Sequence, residues 1–250
     1  MSFINNDTLK KIEKLLPESI HNQSVPKDVL VIIDEYIPKL NDTNIHQVVK
    51  DYLSNDSTKV KQTINNYGLI SNWDVSHVTD MSNLFYNLPL IDGNIIIHNE
   101  FNEDISKWNV SQVTNMHEMF RGAVSFNQPL NNWNVSNVTD MTSMFSSAWK
   151  FNQPLNNWNV SRVTTMAVMF GAAELFNQPL NNWNVSNVTN MNHMFSAENF
   201  NQSLNEWDVS NVTDMHDMFE DAESFNQPLN NWDVSNVVYM NNMFYRAHTF

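Results

Sequence analysis

Seven tryptophans, Trp73, Trp108, Trp133, Trp158, Trp183, Trp207 and Trp232, anchor a block that recurs with spacings of 35, 25, 25, 25, 24 and 25 residues. The block reads Trp-Asn-Val-Ser-Asn-Val-Thr-Asp-Met-x-x-Met-Phe-x-x-Ala-x-x-Phe-Asn-Gln-Pro-Leu-Asn-Asn. One unit of this length cannot bury its own apolar face, so a fixed period of this size implies a stack of units sharing a continuous core. The expected product is a solenoid presenting a binding or structural surface. No enzyme is expected.

In the unit at Trp133, Trp133 and Val135 alternate with Asn134, which predicts a short strand with Asn134 facing outward. Val138–Met141 predicts a second extended piece. Met141, Met144, Phe145 and Ala148 then fall at i, i+3, i+4 and i+7, the spacing of one face of a short helix. Each coil is therefore expected to run strand, bend, strand, helix and turn, an α/β arrangement. Asn127, Asn152, Asn177, Asn201 and Asn226 recur beside an inward Phe, and their amides are expected to bond neighbouring backbone as a ladder.

The first 66 residues read as a small all-helical module. Leu9–Leu16, Val29–Ile37, Ile45–Leu53 and Val60–Ile64 carry helical apolar spacing, with Ser24, Thr43 and Ser57 placed to open three of these segments. One reading is a cap over the first coil with a docking role. The other rests on Val25-Pro26-Lys27-Asp28-Val29-Leu30-x-x-Ile33-x-x-Tyr36-Ile37, which resembles the opening of an F-box. That resemblance implies that helices within 24–55 dock a Skp1-type ubiquitin-ligase partner while the coils select a target.

The repeat itself resembles the BspA-like leucine-rich repeat family in its Trp/Met-rich form, a mycoplasma repeat of unknown function. The resemblance spans 67–250 and about ten positions per unit. It implies a right-handed, leucine-rich-repeat-like solenoid of about seven coils used for protein interaction, with no reaction and no specific ligand. Surface proteins carry this repeat, so a surface adhesin is a further alternative, although no export signal is recognisable. An insertion at about 86–98 decorates the first unit, and the chain stops at Phe250 in mid-unit. An open coil end of this kind invites self-association through the last coil.

Charge narrows the partner class. Residues 1–70 carry 8 Lys+Arg and 9 Asp+Glu, a balance of −1; residues 71–250 carry 5 and 18, a balance of −13. An acidic repeat region disfavours nucleic acid and anionic membranes. A protein partner with a basic or amide-rich face is expected. No signal peptide or membrane-spanning run is recognisable, so a soluble, intracellular or virion-associated protein is expected. The Asn-, Ile- and Lys-rich N-terminus is compatible with the AT-rich genome of a large DNA virus or a mycoplasma.

The candidate partner-binding residues follow from the outward column: Asp74, Asn109, Asn134, Asn159, Asn184, Asp208 and Asp233. Arg162, Thr165 and Tyr239, with Gln112, interrupt an otherwise uniform surface and are expected to carry specificity. No catalytic residue, cofactor or metal is expected. The six Met-x-x-Met pairs lie on the inward stripe and read as core. His77, His193, His216 and His248 fall in different repeat columns, which argues against a three-ligand metal cluster.

Overall fold

A computed structural model describes residues 38–86 and 99–250. The first two expected helices, the F-box-like segment at 25–37 and nearly all of the insertion lie outside the described residues. Among the described residues the chain forms two α-helices, α1 (Ile45–Tyr52) and α2 (Ser57–Tyr67), and a 3-10 turn at Ile70–Asn72, followed by the stacked 25-residue coils. No helix among them is long and apolar enough to cross a membrane.

α1 buries Ile45, Val48, Val49 and Tyr52. That face sits on the first coil, where the Tyr52 ring meets Trp73 edge-on with centroids 5.3 Å apart. α2 begins at Ser57 rather than after it, because Asp56 takes the expected capping role, its carboxylate accepting from the Thr58 and Lys59 N–H groups. One apolar cluster runs from Leu40 through every coil to Met243, so helices and coils share a core. The described part of the expected docking module, residues 38–55, therefore has its apolar helical face committed to the coils.

Successive coils are joined by a chain of parallel bridges, Asp80 to Asn115, Asp140, Thr165, Asn190, Asp214 and Tyr239. These are single-residue bridges, and the expected strands are not formed. The expected helix at Met141–Ala148 is not formed either; the segment is a series of turns. Its N–H groups at Met141, Ser143, Phe145 and Ser147 donate to Thr165, Ala167, Met169 and Gly171 carbonyls of the next coil, while those at Met144, Ser146 and Ala148 close i−3 turns. A helix would turn the Phe145 and Ser147 donors back on its own first turn and leave their acceptors on the neighbouring coil unpaired. Ser143 and Ser147 turn the chain through positive φ, 55° and 57°, which interrupts any helix. Met141, Met144, Phe145 and Ala148 are nonetheless fully buried, so the 3.6-residue spacing located the inward face but not the backbone path.

The same left-handed position recurs in each coil as Asn83, Glu118, Ser143, Val168, His193, Asp217 and Asn242. Asn suits it, and a β-branched residue does not. Val168, at φ 58°, is the strained member. Val168→Asn is expected to stabilise the chain by about 1 kcal/mol in chemical denaturation, the usual cost of such strain. A loss of stability would show that Val168 contributes more by packing over Gly171 than it costs in backbone strain.

The interior is built of aromatic columns. Phe85, Phe120, Phe145, Phe170, Phe195, Phe219 and Phe244 stack at centroid distances of 5.3–5.9 Å. A second Phe column, from Phe101 to Phe250, stacks at 5.7–6.2 Å. Each buried indole also needs an acceptor. From Trp108 to Trp232 the indole N–H donates to the carbonyl of Ile70, Ile105, Leu130, Leu155, Leu180 or Leu204 in the preceding coil, at 2.8–3.2 Å.

The Asn ladder forms as expected. The Oδ1 atoms of Asn102, Asn127, Asn152, Asn177 and Asn201 accept the backbone N–H of the Asn one coil later at 2.9–3.0 Å. The same oxygens accept the side-chain amide of the following Gln, from Gln128 to Gln227, at 2.8–3.2 Å.

The N-terminal edge of the stack is closed by residues 41–46. Asn41 bridges His77, and the Asp42 carboxylate accepts from the Thr79 N–H at 2.7 Å, the Thr79 hydroxyl at 2.6 Å and the Asp80 N–H at 3.0 Å. Burial pushes the Asp42 pKa up, but these hydrogen bonds outweigh it and hold the carboxyl below its ordinary 3.8. A depressed folded pKa means that the unfolded chain binds more protons, so this stabilisation is present above pH 3.8 and is lost as pH falls below it. Asp42→Asn is expected to cost about 1 kcal/mol at pH 7, the scale of a lost helix cap. The gap from wild type should narrow in acid; a gap that widens would contradict the assignment.

Candidate interaction surface and a histidine–carboxylate cluster

The outward column begins with a local turn. Asn or Asp beside each Trp accepts, through Oδ1, the backbone N–H of the Ser two residues on: Ser76, Ser111, Ser136, Ser161, Ser186, Ser210 and Ser235, at 3.0–3.2 Å. Asn and Asp make this turn more strongly than Ser or Thr, which accounts for the alternation of these two types. Asp74, Asn109, Asn134, Asn159, Asn184, Asp208 and Asp233 are all exposed, one per coil. Their Oδ1 atoms are committed to the turn, leaving the amide NH₂ or second carboxylate oxygen at the surface.

The three carboxyls of this column stay ionised. Hydrogen bonds from the Ser76 hydroxyl and N–H hold Asp74 below its ordinary value against burial. The Ser210 hydroxyl and N–H do the same for Asp208, as do the Ser235 N–H and hydroxyl for Asp233. Beside the column runs a Thr ladder in which the hydroxyls of Thr114, Thr139, Thr164, Thr189 and Thr213 reach the preceding Thr carbonyl at 3.1–3.3 Å.

The departures from the repeat change specific contacts. Asn137, Asn187, Asn211 and Asn236 donate their amides to a Ser carbonyl of the preceding coil. Arg162 replaces Asn in that column and donates instead to the Asn137 Oδ1 at 2.9 Å, leaving an exposed cation among amide side chains. Thr165 replaces an Asn or Asp that elsewhere closes a second turn, and its hydroxyl pairs with that of Thr142 at 3.0 Å. Thr165 is half-buried. Tyr239 is 59% exposed on the last coil, in the same bridge column as Thr165. Three bridging steps separate the two, about 14 Å at ordinary strand spacing. Arg162 and Thr165 thus share one coil, and Tyr239 belongs to a different region of the surface.

The expectation that the histidines stay apart is corrected for two of them. His193 occupies the left-handed position of its coil, and Asp217 occupies the same position one coil later. His216 precedes Asp217, so adjacent columns of successive coils meet. His193 Nε2 lies 3.4 Å from Asp217 Oδ2 and 3.5 Å from Glu220 Oε2, and His216 Nε2 lies 3.9 Å from Asp217 Oδ2. Ligating atoms of His193, His216 and Asp217 all fall within 4.8 Å of one another. Column periodicity alone does not show this, because the cluster is built across two columns.

Behind the cluster, His216 Nδ1 sits 2.6 Å from Asp214 Oδ1. Burial pushes the Asp214 pKa up, but hydrogen bonds from the His216 N–H and ring and from the Asn192 amide hold it below its ordinary value. The Asp214 carboxylate therefore stands ionised beside the His216 ring nitrogen.

No curated protein and no solved structure matches the chain. The family described as "Mycoplasma protein of unknown function, DUF285" matches residues 52–180 and 176–250, nearly all of the described coils together with α2. A match over more than half the length settles membership, and the chain belongs to that family of repeat proteins.

Proposed function

We propose that the chain is a non-catalytic protein-interaction or assembly scaffold, built as a leucine-rich-repeat-like solenoid. One observation carries the reading: seven exposed Asn and Asp side chains recur once per coil, each fixed by its own turn with polar atoms left at the surface. A pre-ordered row of donors and anions binds at low entropic cost, because its rotamers are set before a partner arrives. The complementary partner is a protein segment that is basic or rich in amides.

Specificity belongs to the coil that breaks the pattern. Arg162 and Thr165 are its distinguishing side chains, with Tyr239 as a separate aromatic contact. The test is affinity capture with the full chain from its native lysate, comparing wild type with the double substitution Arg162→Asn and Thr165→Asp. These changes restore the repeat pattern, so the fold should persist while recovery of the partner falls at least tenfold. Equal recovery by both chains would remove this coil from the recognition surface.

The ligase-adaptor reading draws support from residues 25–37 only through their sequence. In the described remainder, the apolar face of α1 is already occupied by the first coil. That observation favours a capping role for residues 41–52.

A further inference from the structure

We propose that His193, His216 and Asp217, joined by Glu220, form a binding site for one divalent transition-metal ion of the zinc class. The ion would clamp two successive coils, with His193 on one and the other three ligands on the next.

Equivalent positions of two coils carry different charge. The coil at Met116 carries His117 and Glu118 where the coil at Met215 carries His216 and Asp217. In the first, Arg121 follows the Phe and pairs with Glu118, supplying an internal cation. In the second, the same position is Glu220. The second coil thus gathers Asp217 and Glu220, with Asp214 behind them, and no Lys or Arg is paired with any of the three among the described residues. His193, His216 and Asp217 converge within 4.8 Å without an internal cation, and Glu220 stands 3.5 Å from His193 as a fourth donor, whereas the first coil forms a salt bridge.

A second observation is independent of the clustering. Asp217 is only 9% exposed, and its Oδ1 is a buried atom with no hydrogen-bond partner among the described residues. Burying a carboxylate with no cation beside it is costly, and an ion held at Oδ2, the oxygen that faces both imidazoles, offsets that buried charge. His193, His216 and Glu220 remain about a third exposed, which leaves a path for the ion.

Geometry fits a small tetrahedral ion. Ligand bonds of about 2.0–2.1 Å place neighbouring ligand atoms roughly 3.3 Å apart. The His193–Asp217 and His193–Glu220 separations of 3.4 and 3.5 Å already match, and the His216–Asp217 separation of 3.9 Å needs a small closure. If His216 donates Nδ1–H to Asp214, its Nε2 lone pair points to the metal, the usual carboxylate–histidine arrangement of zinc sites. Imidazole donors favour zinc-like ions over magnesium and calcium, which take oxygen ligands. Thioether ligation of copper(I) is not available, because Met191, Met194, Met215 and Met218 are fully buried in the core.

The test is zinc titration of the full, metal-stripped chain by calorimetry, with cobalt substitution read by its visible absorption. The expected result is one saturable Zn²⁺ per chain, a zinc-dependent rise in melting temperature and a tetrahedral cobalt spectrum. His193→Ala and Asp217→Asn should weaken binding at least tenfold, and Asp214→Asn should weaken it by about 10–100-fold through loss of ring orientation. Glu220→Arg imports the cation of the equivalent coil, so it should abolish binding while leaving the metal-free melting temperature unchanged or higher. His77→Ala and His117→Ala should bind as wild type does. The proposal is overturned by an absence of one-to-one binding, or by binding that survives both His193→Ala and Glu220→Arg.

Discussion

Phe145→Ala is expected to destabilise the chain by about 3–5 kcal/mol, the range for emptying a fully buried aromatic site. Phe145 is completely buried and stacks on Phe120, Phe151 and Phe170 at 5.4, 4.1 and 5.7 Å, with Trp158 tilted against it at 6.4 Å. Its neighbours cannot collapse into the void, because each ring is held by the ring above and below and by backbone ladders at the coil edges. Relaxation is what lowers the cost of such deletions, so the value should lie toward the upper end. A domain of this size loses about 2–4 °C per kcal/mol, so the melting temperature should fall on the order of 10 °C. A repeat stack transmits stability between nearest neighbours, and a central defect uncouples the coils on either side. Two unfolding steps in place of one would report that uncoupling.

Asn152→Leu is the second large effect, at about 2–3 kcal/mol. The Asn152 Oδ1 accepts from the Asn177 N–H and from the Gln178 side-chain amide, both at 3.0 Å. Leucine removes the acceptor and leaves a half-buried backbone donor without a partner, where each unmade bond costs about 1–3 kcal/mol. Gln178 is half-buried as well and recovers part of its loss from water, which keeps the total below the sum of two full penalties. Asn152→Asp retains an acceptor of the same size and reach, so its stability at pH 7 should stay close to wild type. If Asn152→Asp were as damaging as Asn152→Leu, the ladder would owe its importance to something other than the accepting oxygen.

The periodic positions were legible wherever one residue type answers to one physical demand. Trp, Val, Met and Phe recur because they face inward, and all of Trp133, Val135, Met141 and Phe145 are buried. The Asn127–Asn226 column was legible for a related reason, since a recurring amide beside a buried turn needs a backbone partner. The path of the chain between these positions was not legible. Spacing of i, i+3, i+4 and i+7 describes the inward face of a helix, but left-handed residues such as Ser143 and Ser147 place the same side chains inward along a chain of turns. Ser carries no signal for that conformation, whereas Gly122, which takes it at φ 70°, does. The indole contacts to the preceding coil were also invisible, because a Trp repeated every 25 residues reads as core whether or not its N–H crosses to a neighbour.

The outward column was placed correctly as exposed, yet one of the two polar atoms of each side chain is engaged by the turn to Ser76 and its counterparts. The Asn-Val-Ser spacing carried that signal, an Asx residue two positions before a Ser, and it bears on which atoms a partner can reach. The pairing of His193 with Asp217 is not legible in the spacing, which fixes columns but not which columns are neighbours.

The most direct test of the stacked-coil account is residue-resolved amide hydrogen exchange on the full chain. Slow exchange is expected at Asn127, Asn152, Asn177 and Asn201, protected to the same degree as Phe120, Phe145 and Phe170, with protection recurring at the repeat period. Fast exchange at the four Asn amides while the Phe amides stay protected would contradict the side-chain ladder. Protection without the repeat period would contradict the stacking itself.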